Sequence, residues 1–460
     1  MIETAFSSVL GGLGVMAVDP IAPRTQMGMS LGWHIILACL GVGLPALVVF
    51  LEWRGYRTGD ANYRLLARRW ARALGVLFAV GAVSGTILSF EMGLLWSGMM
   101  ENFGAVIGLP FAIEGFAFFI EAIFLGIYLY GWDRLPPRVH LLTGIPIVVS
   151  GVLSAFFVVS ANAWMNSPTG FTIVDGRLVG VDPWAAMFNP ATWPEGIHMI
   201  LAAIMVSSFV AASVYGVAIL RGKRDRYHQL GLMVPLALGA ITAPIQIVVG
   251  DWAARFVAEN QPTKLAAMEG LFHSMRGAPL SLGGIYFDDS LHGALELPAG
   301  LSLLVSFDPN GYVRGLEAVP AADRPLVNVV HPAFDFMVAV GFGLLALGAW
   351  FAISWWRRRS LPQTRLFLIA VSISGVAATA AMEAGWIVTE VGRQPWIVYN
   401  VMRVSEAVNP APGIDLGLPV LALVYVVLTV ATVYVLLRLV RSSPVPTAPQ
   451  ELDSAAPPVV

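Results

Sequence analysis

Residues 366–389 read LFLIAVSISGVAATAAMEAGWIVT and contain a single ionisable side chain, that of Glu383. A helix needs about 20 mostly apolar residues to cross the hydrocarbon core of a bilayer. The stretch is long and apolar enough for this, so it predicts a membrane-spanning helix. An acid placed inside such a helix is costly, which makes Glu383 a candidate functional residue.

Eight other stretches of the chain have the same character. They lie near residues 28–51, 74–99, 110–131, 143–162, 198–220, 230–250, 333–355 and 417–438. We therefore expect an all-α membrane protein, a bundle of nine transmembrane helices that forms one domain over residues 1–441. The Pro-rich tail 442–460 is expected to be disordered. The residues up to Asp19 lack a basic start, so we do not expect a cleaved signal peptide.

The composition excludes several classes of protein. Of the 460 residues, 57% are hydrophobic and only 12% are charged, which is half the charged share of an ordinary soluble domain. The net charge of -2 provides no basic surface for nucleic acid. The single cysteine, Cys39, cannot form an intrachain disulfide, an iron–sulfur site or a covalent c-type haem link. Any metal must be held by other residues.

Basic residues predict the orientation, because short cytoplasmic loops collect Lys and Arg. The first, third, fifth and seventh connections carry most of them: Arg54, Arg57, Arg64, Arg68, Arg69, Arg72, Arg134, Arg138, Arg221, Lys223, Arg224, Arg226, Arg357, Arg358, Arg359 and Arg365. We expect these connections and the C-terminus inside, and the N-terminus outside. The longest connection, residues 251–332, then lies outside, and a connection of that length is usually functional.

Several ionisable residues fall inside or at the rim of predicted spans: His34, Glu91, Glu114, Glu121, His198, Asp335 and Glu383. Two imidazoles and two carboxylates of this set lie in the outer half of the bundle, together with the thioether of Met337. This donor set suits haem iron better than zinc. Each histidine alone could instead make an interhelical hydrogen bond, and Met337 alone could fill the core.

Glu114 and Glu121 are seven residues apart, so two helical turns place both carboxylates on one face. This spacing is typical of a proton path, and equally of a carboxylate pair that closes a helix contact. Glu91 could be a third member or a helix-packing hydrogen bond. The histidines of the connections, His140, His228, His273, His292 and His331, are expected to be solvated.

Several sequence runs at these positions identify a family resemblance. The run GRQPW (392–396) follows EAGW (383–386), and three further runs are AIEG (112–115), GWDRL (131–135) and AWMN (163–166). A sixth, TKLAAME (263–269), lies in the long connection. With them the chain resembles subunit I of the cytochrome bd-type quinol oxidases over all nine spans, in the form with a short quinol loop.

The resemblance implies roles for the iron ligands. His198 and Met337 match the axial pair of a low-spin haem b, and His34 and Glu383 match the ligands of two further haems. These are a second haem b and a haem d in the typical member, or a third haem b. Arg393 and Trp396, in the GRQPW run, are expected to contact a cofactor.

The resemblance also assigns the remaining candidates. Glu114 and Glu121 match carboxylates on the route of cytoplasmic protons to the oxygen site. Lys264 and Glu269 match residues implicated in quinol binding, so 251–332 corresponds to the family's quinol loop. A nearby base can accept the hydroquinone proton and a nearby cation can stabilise developing negative charge.

Two positions depart from the family pattern. Asp335 stands where an arginine is usual, two residues before the methionine ligand, and Thr379 stands where tryptophan is often found. A carboxylate near the low-spin haem is expected to lower its potential unless it pairs with an arginine such as Arg324 or Arg393. Thr379 weakens any inference about the electron path between haems.

The expected function is a quinol:O2 oxidoreductase of the bacterial cytoplasmic (inner) membrane. It takes electrons from quinol outside and protons for water from inside, which builds a membrane potential without a pump. The resemblance implies a second membrane subunit as partner, and a small single-span subunit is a further expectation. The alternatives are a proton-relay transporter or channel bundle without redox chemistry, and an all-haem-b member with another acceptor.

Overall fold

The computed structural model describes residues 21–411 and 413–442. The expectations about the N-terminal residues up to Asp19 and about the tail beyond Ser442 lie outside the described residues. Within the described part, nine helices are long and apolar enough to cross a membrane. They are α1 (Ile21–Thr58), α2 (Ala61–Leu95), α3 (Ser97–Gly131), α4 (Pro137–Asn166), α5 (Thr192–Leu220), α6 (Arg226–Asn260), α7 (Val327–Arg358), α8 (Arg365–Val391) and α9 (Gly417–Ser442).

The nine predicted spans are confirmed, and most of the helices are longer than the apolar runs from which they were predicted. The largest extension is at the connection between the first two helices, which is reduced to residues 59–60. The arginines expected in the first connection lie on helical turns, because α1 continues to Thr58 and α2 begins at Ala61. Asp60 ends the gap by accepting the backbone N–H of Asn62, which satisfies a free donor of the first turn of α2.

The connections define two faces. The basic face carries the short links of residues 59–60, 132–136, 221–225 and 359–364, and the loop face carries the links of residues 96, 167–191, 261–326 and 392–416. The assignment of the basic face to the cytoplasmic side of the membrane stays a prediction, which rests on the distribution of arginine.

Small elements shape the loop face. Five antiparallel pairs of short strands occur among the described residues. They are β1 (Thr172–Val174) with β2 (Arg177–Val179), β3 (Met275–Arg276) with β8 (Tyr312–Val313), β4 (Leu280–Leu282) with β7 (Leu295–Leu297), β5 (Ile285–Phe287) with β6 (Ser290–His292), and β9 (Trp396–Val398) with β10 (Met402–Arg403). The long connection is thus a folded segment. It is shorter than the predicted 251–332, since α6 runs on to Asn260 and α7 begins at Val327.

The helices pack in two groups. Helices α5, α6, α7 and α8 form a ring in which each contacts the next and α8 returns to α5. Helix α1 lies against α2, α4 and α5, while α3 packs mainly on α4. A ring of four helices surrounds an interior in which facing side chains can hold a cofactor. Helix α9 is the most peripheral, with only 11% of its apolar window buried.

Candidate functional site

His34 lies on α1, and Glu383 of α8 approaches α1 two residues away from it, at Gly32. The Nδ1 atom of His34 lies 2.8 Å from the hydroxyl of Ser84 on α2. On α8, Glu383 directs its Oε2 atom toward Gly32, so that a Cβ atom placed there would lie 3.3 Å away. Both predicted ligands therefore lie at the same level of α1, with His34 directed toward α2 and Glu383 reaching α1 from α8.

Glu383 is left incompletely paired. Its Oε1 atom is buried and has no hydrogen-bond partner among the described residues. A buried carboxylate oxygen without a partner is costly, because burial removes its hydration and nothing replaces it. Such an atom fits a position where a further electropositive group binds.

His198 and Met337 come from opposite members of the helix ring. The two ring nitrogens of His198, on α5, lie 3.2 and 3.3 Å from the amide nitrogen of Gln246 on α6. Met337, on α7, directs its sulfur atom toward Gly385 on α8. An imidazole and a thioether on opposite helices are donors that would suit a haem iron.

Each of the four predicted ligands rests against a glycine of a neighbouring helix. A Cβ atom on Gly85 would lie 3.1 Å from Cε1 of His34, and one on Gly250 would lie 3.3 Å from Cε1 of His198. A Cβ atom on Gly385 would lie 3.0 Å from the sulfur of Met337. These glycines leave space beside the donor atoms that any larger residue would fill. The donor set and the space beside it therefore fit haem groups.

A polar cluster lies where the ring meets the loop face. We call it the loop-face cluster, and its members are Asn162, Asn166, Glu195, Gln261, Lys264, Glu390 and Arg393. Lys264 stands on the short helix Pro262–Met268, whose proline at the first position favours helix initiation. The ammonium of this lysine donates to Oδ1 of Asn166 at 2.8 Å. The predicted quinol residue is thus held by the end of α4.

Burial lowers the pKa of Lys264 to about 8, although the neighbouring Glu195 favours its charged form. Arg393 lowers that pKa further, whereas Glu390 again opposes the shift. The lysine is therefore charged at neutral pH and loses its charge in mildly alkaline solution. The lack of a side chain at Gly392 leaves room for Lys264, since a Cβ atom on Gly392 would lie 2.9 Å from Cγ of Lys264.

Arg393, the arginine of the cluster, is deeply buried, at 1% exposure. Its Nη2 atom donates to Glu390 at 2.7 Å, while its Nε and Nη1 atoms have no partner among the described residues. A guanidinium with unpaired donors in a buried site fits an anionic group such as a carboxylate of a cofactor. Trp396 packs differently, with the guanidinium of Arg403 stacked 4.6 Å from its ring. Its predicted contact with a cofactor stays a prediction.

Glu269 lies at the end of the short helix that carries Lys264 and is buried. Burial raises its pKa to about 8, the charge of Asp335 adds to the rise, and the backbone N–H of Ser281 opposes it. This carboxyl is therefore mostly protonated at neutral pH and becomes a proton acceptor in mildly alkaline solution.

Asp335 pairs with neither arginine that the sequence offered as a partner. Its Oδ2 atom accepts the backbone N–H of Gly283 at 2.5 Å and lies 3.5 Å from Nε2 of His331. Both ring nitrogens of His331 reach carbonyl oxygens, those of Met268 at 2.7 Å and Gly283 at 2.8 Å. These contacts fix the ring of His331 between the short helix that ends at Met268, the strand region of Gly283 and the carboxylate of Asp335.

The predicted proton residues lie along the contact between α3 and α4. Ser154 donates to Glu114 at 2.9 Å, and Glu121 lies against Gly151, whose added Cβ atom would be 3.3 Å from its Oε1 atom. Glu91 accepts a hydrogen bond from Ser30 at 2.9 Å, which is the helix-packing contact that the sequence offered as one alternative.

Three histidines expected to be solvated are buried. His331 has an exposure of 1%, His140 of 3% and His228 of 8%, and each hydrogen-bonds within the protein. The expectation was wrong because the helices extend into the predicted connections. One pattern could have revealed His331: it precedes Asp335 by four residues, and residues so spaced share a helix face.

Comparisons with known proteins agree with this architecture. The profile of the cytochrome bd terminal oxidase subunit I family matches residues 22–444. A provisionally named cytochrome bd menaquinol oxidase subunit I of Bacillus subtilis is 36% identical, with 93% of this chain and 98% of that protein covered. Cytochrome bd-II ubiquinol oxidase subunit 1 of Escherichia coli is 27% identical, with coverage of 92% and 96%.

A solved structure extends the agreement to three dimensions. A chain of the bd oxidase from Geobacillus thermodenitrificans superposes with a TM-score of 0.88 at 39% identity, and the match covers 93% of this chain and 100% of that one. The resemblance inferred from the sequence runs is confirmed. This multi-pass membrane chain belongs to the cytochrome bd terminal oxidase subunit I family.

Proposed function

We propose that the chain is the haem-bearing subunit of a terminal oxidase that oxidises membrane quinol at the loop face and reduces O2 to water. Protons for water enter from the basic face, which we assign to the cytoplasm from its arginines. The observation that carries the proposal is the coincidence of predicted ligands, glycine-lined space and unpaired buried atoms. Glu383 and Arg393 supply those unpaired atoms.

The residues would hold three haems. His198 and Met337 would hold a low-spin haem b, while His34 and Glu383 would hold a second haem b and a haem d, or a third haem b. When bound, these groups supply electron transfer and the reduction of oxygen. Arg393 is suited to pair with a cofactor carboxylate through its unpaired Nε and Nη1 atoms.

Lys264 and Glu269 act on quinol in this proposal. As a carboxylate, Glu269 accepts the proton of a hydroquinone hydroxyl, and the ammonium of Lys264 stabilises the negative charge that develops on that oxygen. The pKa values of Lys264 and Glu269 are both about 8. The ammonium form of Lys264 and the carboxylate form of Glu269 are therefore present together only in a narrow pH range.

Glu114 and Glu121 carry protons from the opposite side. Quinol protons leave at the loop face while protons for water arrive from the basic face, so each turnover separates charge across the membrane without a pump. We place the protein in the bacterial cytoplasmic membrane with a second membrane subunit as partner. A small single-span subunit is a further candidate partner.

The reduced-minus-oxidised visible spectrum of the purified complex tests the proposal. Bands of haem b are expected, and a far-red band distinguishes haem d from a set of three haems b. Quinol-dependent oxygen consumption should accompany them. A colourless protein would refute the oxidase proposal and favour a proton-relay transporter or channel.

A further inference from the structure

A second buried cluster lies near the basic face, far along α1 from His34. Glu52 on α1 accepts a hydrogen bond from the hydroxyl of Tyr128 on α3 at 2.5 Å. Its other oxygen lies 2.6 Å from Nδ1 of His140 on α4. Exposures of 7%, 1% and 3% show that water reaches little of Glu52, Tyr128 and His140. We call these three residues the basic-face triad.

The hydrogen bonds of the triad leave one mobile proton. Nε2 of His140 lies 2.9 Å from the carbonyl oxygen of Tyr128, which only accepts, so this nitrogen carries a hydrogen. The remaining proton between Nδ1 and Glu52 has two positions. It makes either an imidazolium with a carboxylate or an imidazole with a neutral acid, and both forms have zero net charge. The proton can therefore move within a buried site without creating net charge.

The triad is aligned with the predicted proton residues. Tyr128 follows Glu121 by seven residues and Glu121 follows Glu114 by seven, so all three lie on one face of α3. Helix α4 matches this spacing. Added Cβ atoms would lie 3.2 Å from the ring of Tyr128 at Gly144 and 3.3 Å from Glu121 at Gly151.

Two arginines of the basic face have partners outside the triad. Arg138 donates to the hydroxyl of Tyr56 at 2.7 Å, and Arg68 forms an ion pair with Asp133 at the surface. The ring of Trp132 lies 4.4 Å from that of His140 and covers it. The carboxylate of Glu52 therefore faces the histidine and the tyrosine, while the arginines remain at the basic surface.

We propose that the Glu52–His140 pair is the proton-loading site that feeds Glu121 from the basic face. This inference rests on the proposed function, because it assigns the entry point of the proton path used there. In the loading step, the proton on Nδ1 of His140 passes to Glu52, which becomes a neutral acid. Glu52 then releases it toward the carboxylate of Glu121, which lies two turns, about 10 Å, along α3 from Tyr128. Water molecules would carry the proton over this interval.

Release leaves an imidazole beside a carboxylate, with one negative charge. That charge attracts the next proton from the basic surface to Nδ1, which restores the starting state. Tyr128 is a positioning residue, since its hydroxyl holds one oxygen of Glu52 and keeps the other toward His140.

The experiment compares Glu52→Gln with the wild type in the purified two-subunit oxidase. The variant should keep the haem spectrum and the rate of anaerobic haem reduction by quinol, since neither needs protons from the basic face. Proton uptake in a single turnover with oxygen, followed by a pH-indicating dye, should slow by on the order of tenfold to a hundredfold. Glu52→Asp should recover part of the rate.

A measurement without substrate tests the shared proton directly. Infrared difference spectra of the resting protein, recorded after a change of bulk pH, should contain a deuterium-sensitive carboxyl band. Glu52→Gln should remove this band and His140→Gln should shift it. An unchanged difference spectrum in Glu52→Gln would overturn the inference.

His228→Gln is the matched control. His228 also binds a carboxylate, that of Asp225 at 2.6 Å, near the basic face, yet it belongs to α6 and not to the α3–α4 contact. It should leave proton uptake unchanged. Tyr128→Phe gives a second test, with a smaller slowing than Glu52→Gln.

Loss of the haem spectrum in Glu52→Gln, His140→Gln and Tyr128→Phe alike would show a structural role and overturn the inference. Full-speed proton uptake in Glu52→Gln would overturn it too, while leaving the proposed function intact. Failure of the proposed function would appear instead in the wild type, as absent haem bands or absent quinol-dependent oxygen consumption.

Discussion

The polar groups around the candidate ligands differ from the basic-face triad in how completely they are paired. Within the part of the chain that the structure describes, Glu383 has an oxygen without a partner, Arg393 two such nitrogens and Gln246 one such oxygen. In the basic-face triad, every polar side-chain atom of Glu52, Tyr128 and His140 has a partner. Both regions are buried, so burial alone does not explain the contrast.

The difference separates two uses of buried polarity. An unpaired buried donor or acceptor costs about 1–3 kcal/mol, so a group that lacks a partner in the chain fits a place where another molecule completes it. A fully paired cluster can only redistribute what it already holds, which here is one proton. The groups around the candidate ligands are therefore suited to bind another molecule, and the basic-face triad is suited to pass a proton.

The largest expected effect comes from removing a predicted ligand. Met337→Leu fills a similar volume but provides no sulfur, so the low-spin haem b signal should disappear from the reduced-minus-oxidised spectrum. His198→Leu should have the same effect. A low-spin spectrum that is unchanged in Met337→Leu would show that the glycine-lined space of the ring serves another purpose.

The second prediction concerns quinol oxidation. Glu269→Gln keeps the shape of the side chain but removes the proton acceptor, so quinol oxidation should fall on the order of a hundredfold. Oxidation of an artificial donor that bypasses the loop should be retained. Equal losses with both donors would contradict a role at the quinol site.

The pH profile sharpens this prediction. Because the pKa of Glu269 is raised to about 8, its carboxylate form increases with pH and the rate of quinol oxidation should rise up to about pH 8. Because the pKa of Lys264 is lowered to about 8, its charge is lost above that pH and the rate should fall. Glu269→Gln should remove the rising limb, and a rising limb that persists would assign the base elsewhere.

The sequence predicted the spans well because each is a long apolar run. The assignment of His34 and Glu383 as ligands of two further haems came from the family motifs and stays a prediction. It did not predict Glu52, since the apolar run of the first span ends at residue 51 while the helix continues to Thr58. Hydropathy measures composition and not hydrogen bonding, so helical turns that carry arginine look like a loop. Asn166, the partner of Lys264, and Gln246, the partner of His198, were missed because contacts between different helices produce no regular residue spacing in the sequence.

A smaller effect is expected from the glycines beside the ligands. Gly385→Ala would place a Cβ atom 3.0 Å from the sulfur of Met337, so the low-spin haem should be retained only in part, with a few-fold loss of signal per protein. Gly343→Ala is the matched control, since a Cβ atom there meets nothing within 4 Å. Equal spectra in the two variants would show that the sulfur does not need this space.

The smallest expected effect comes from Asp335→Asn, which keeps an acceptor for the N–H of Gly283 and removes a negative charge near Glu269. Ionising Glu269 then creates less repulsion, so its pKa should fall and the rising limb of the pH profile should move to lower pH. The shift should be only a fraction of a unit, because burial is the larger cause of the raised pKa. The measurement is the pH dependence of kcat/KM for quinol, and a limb that stays in place or moves upward would show that Asp335 does not act on Glu269.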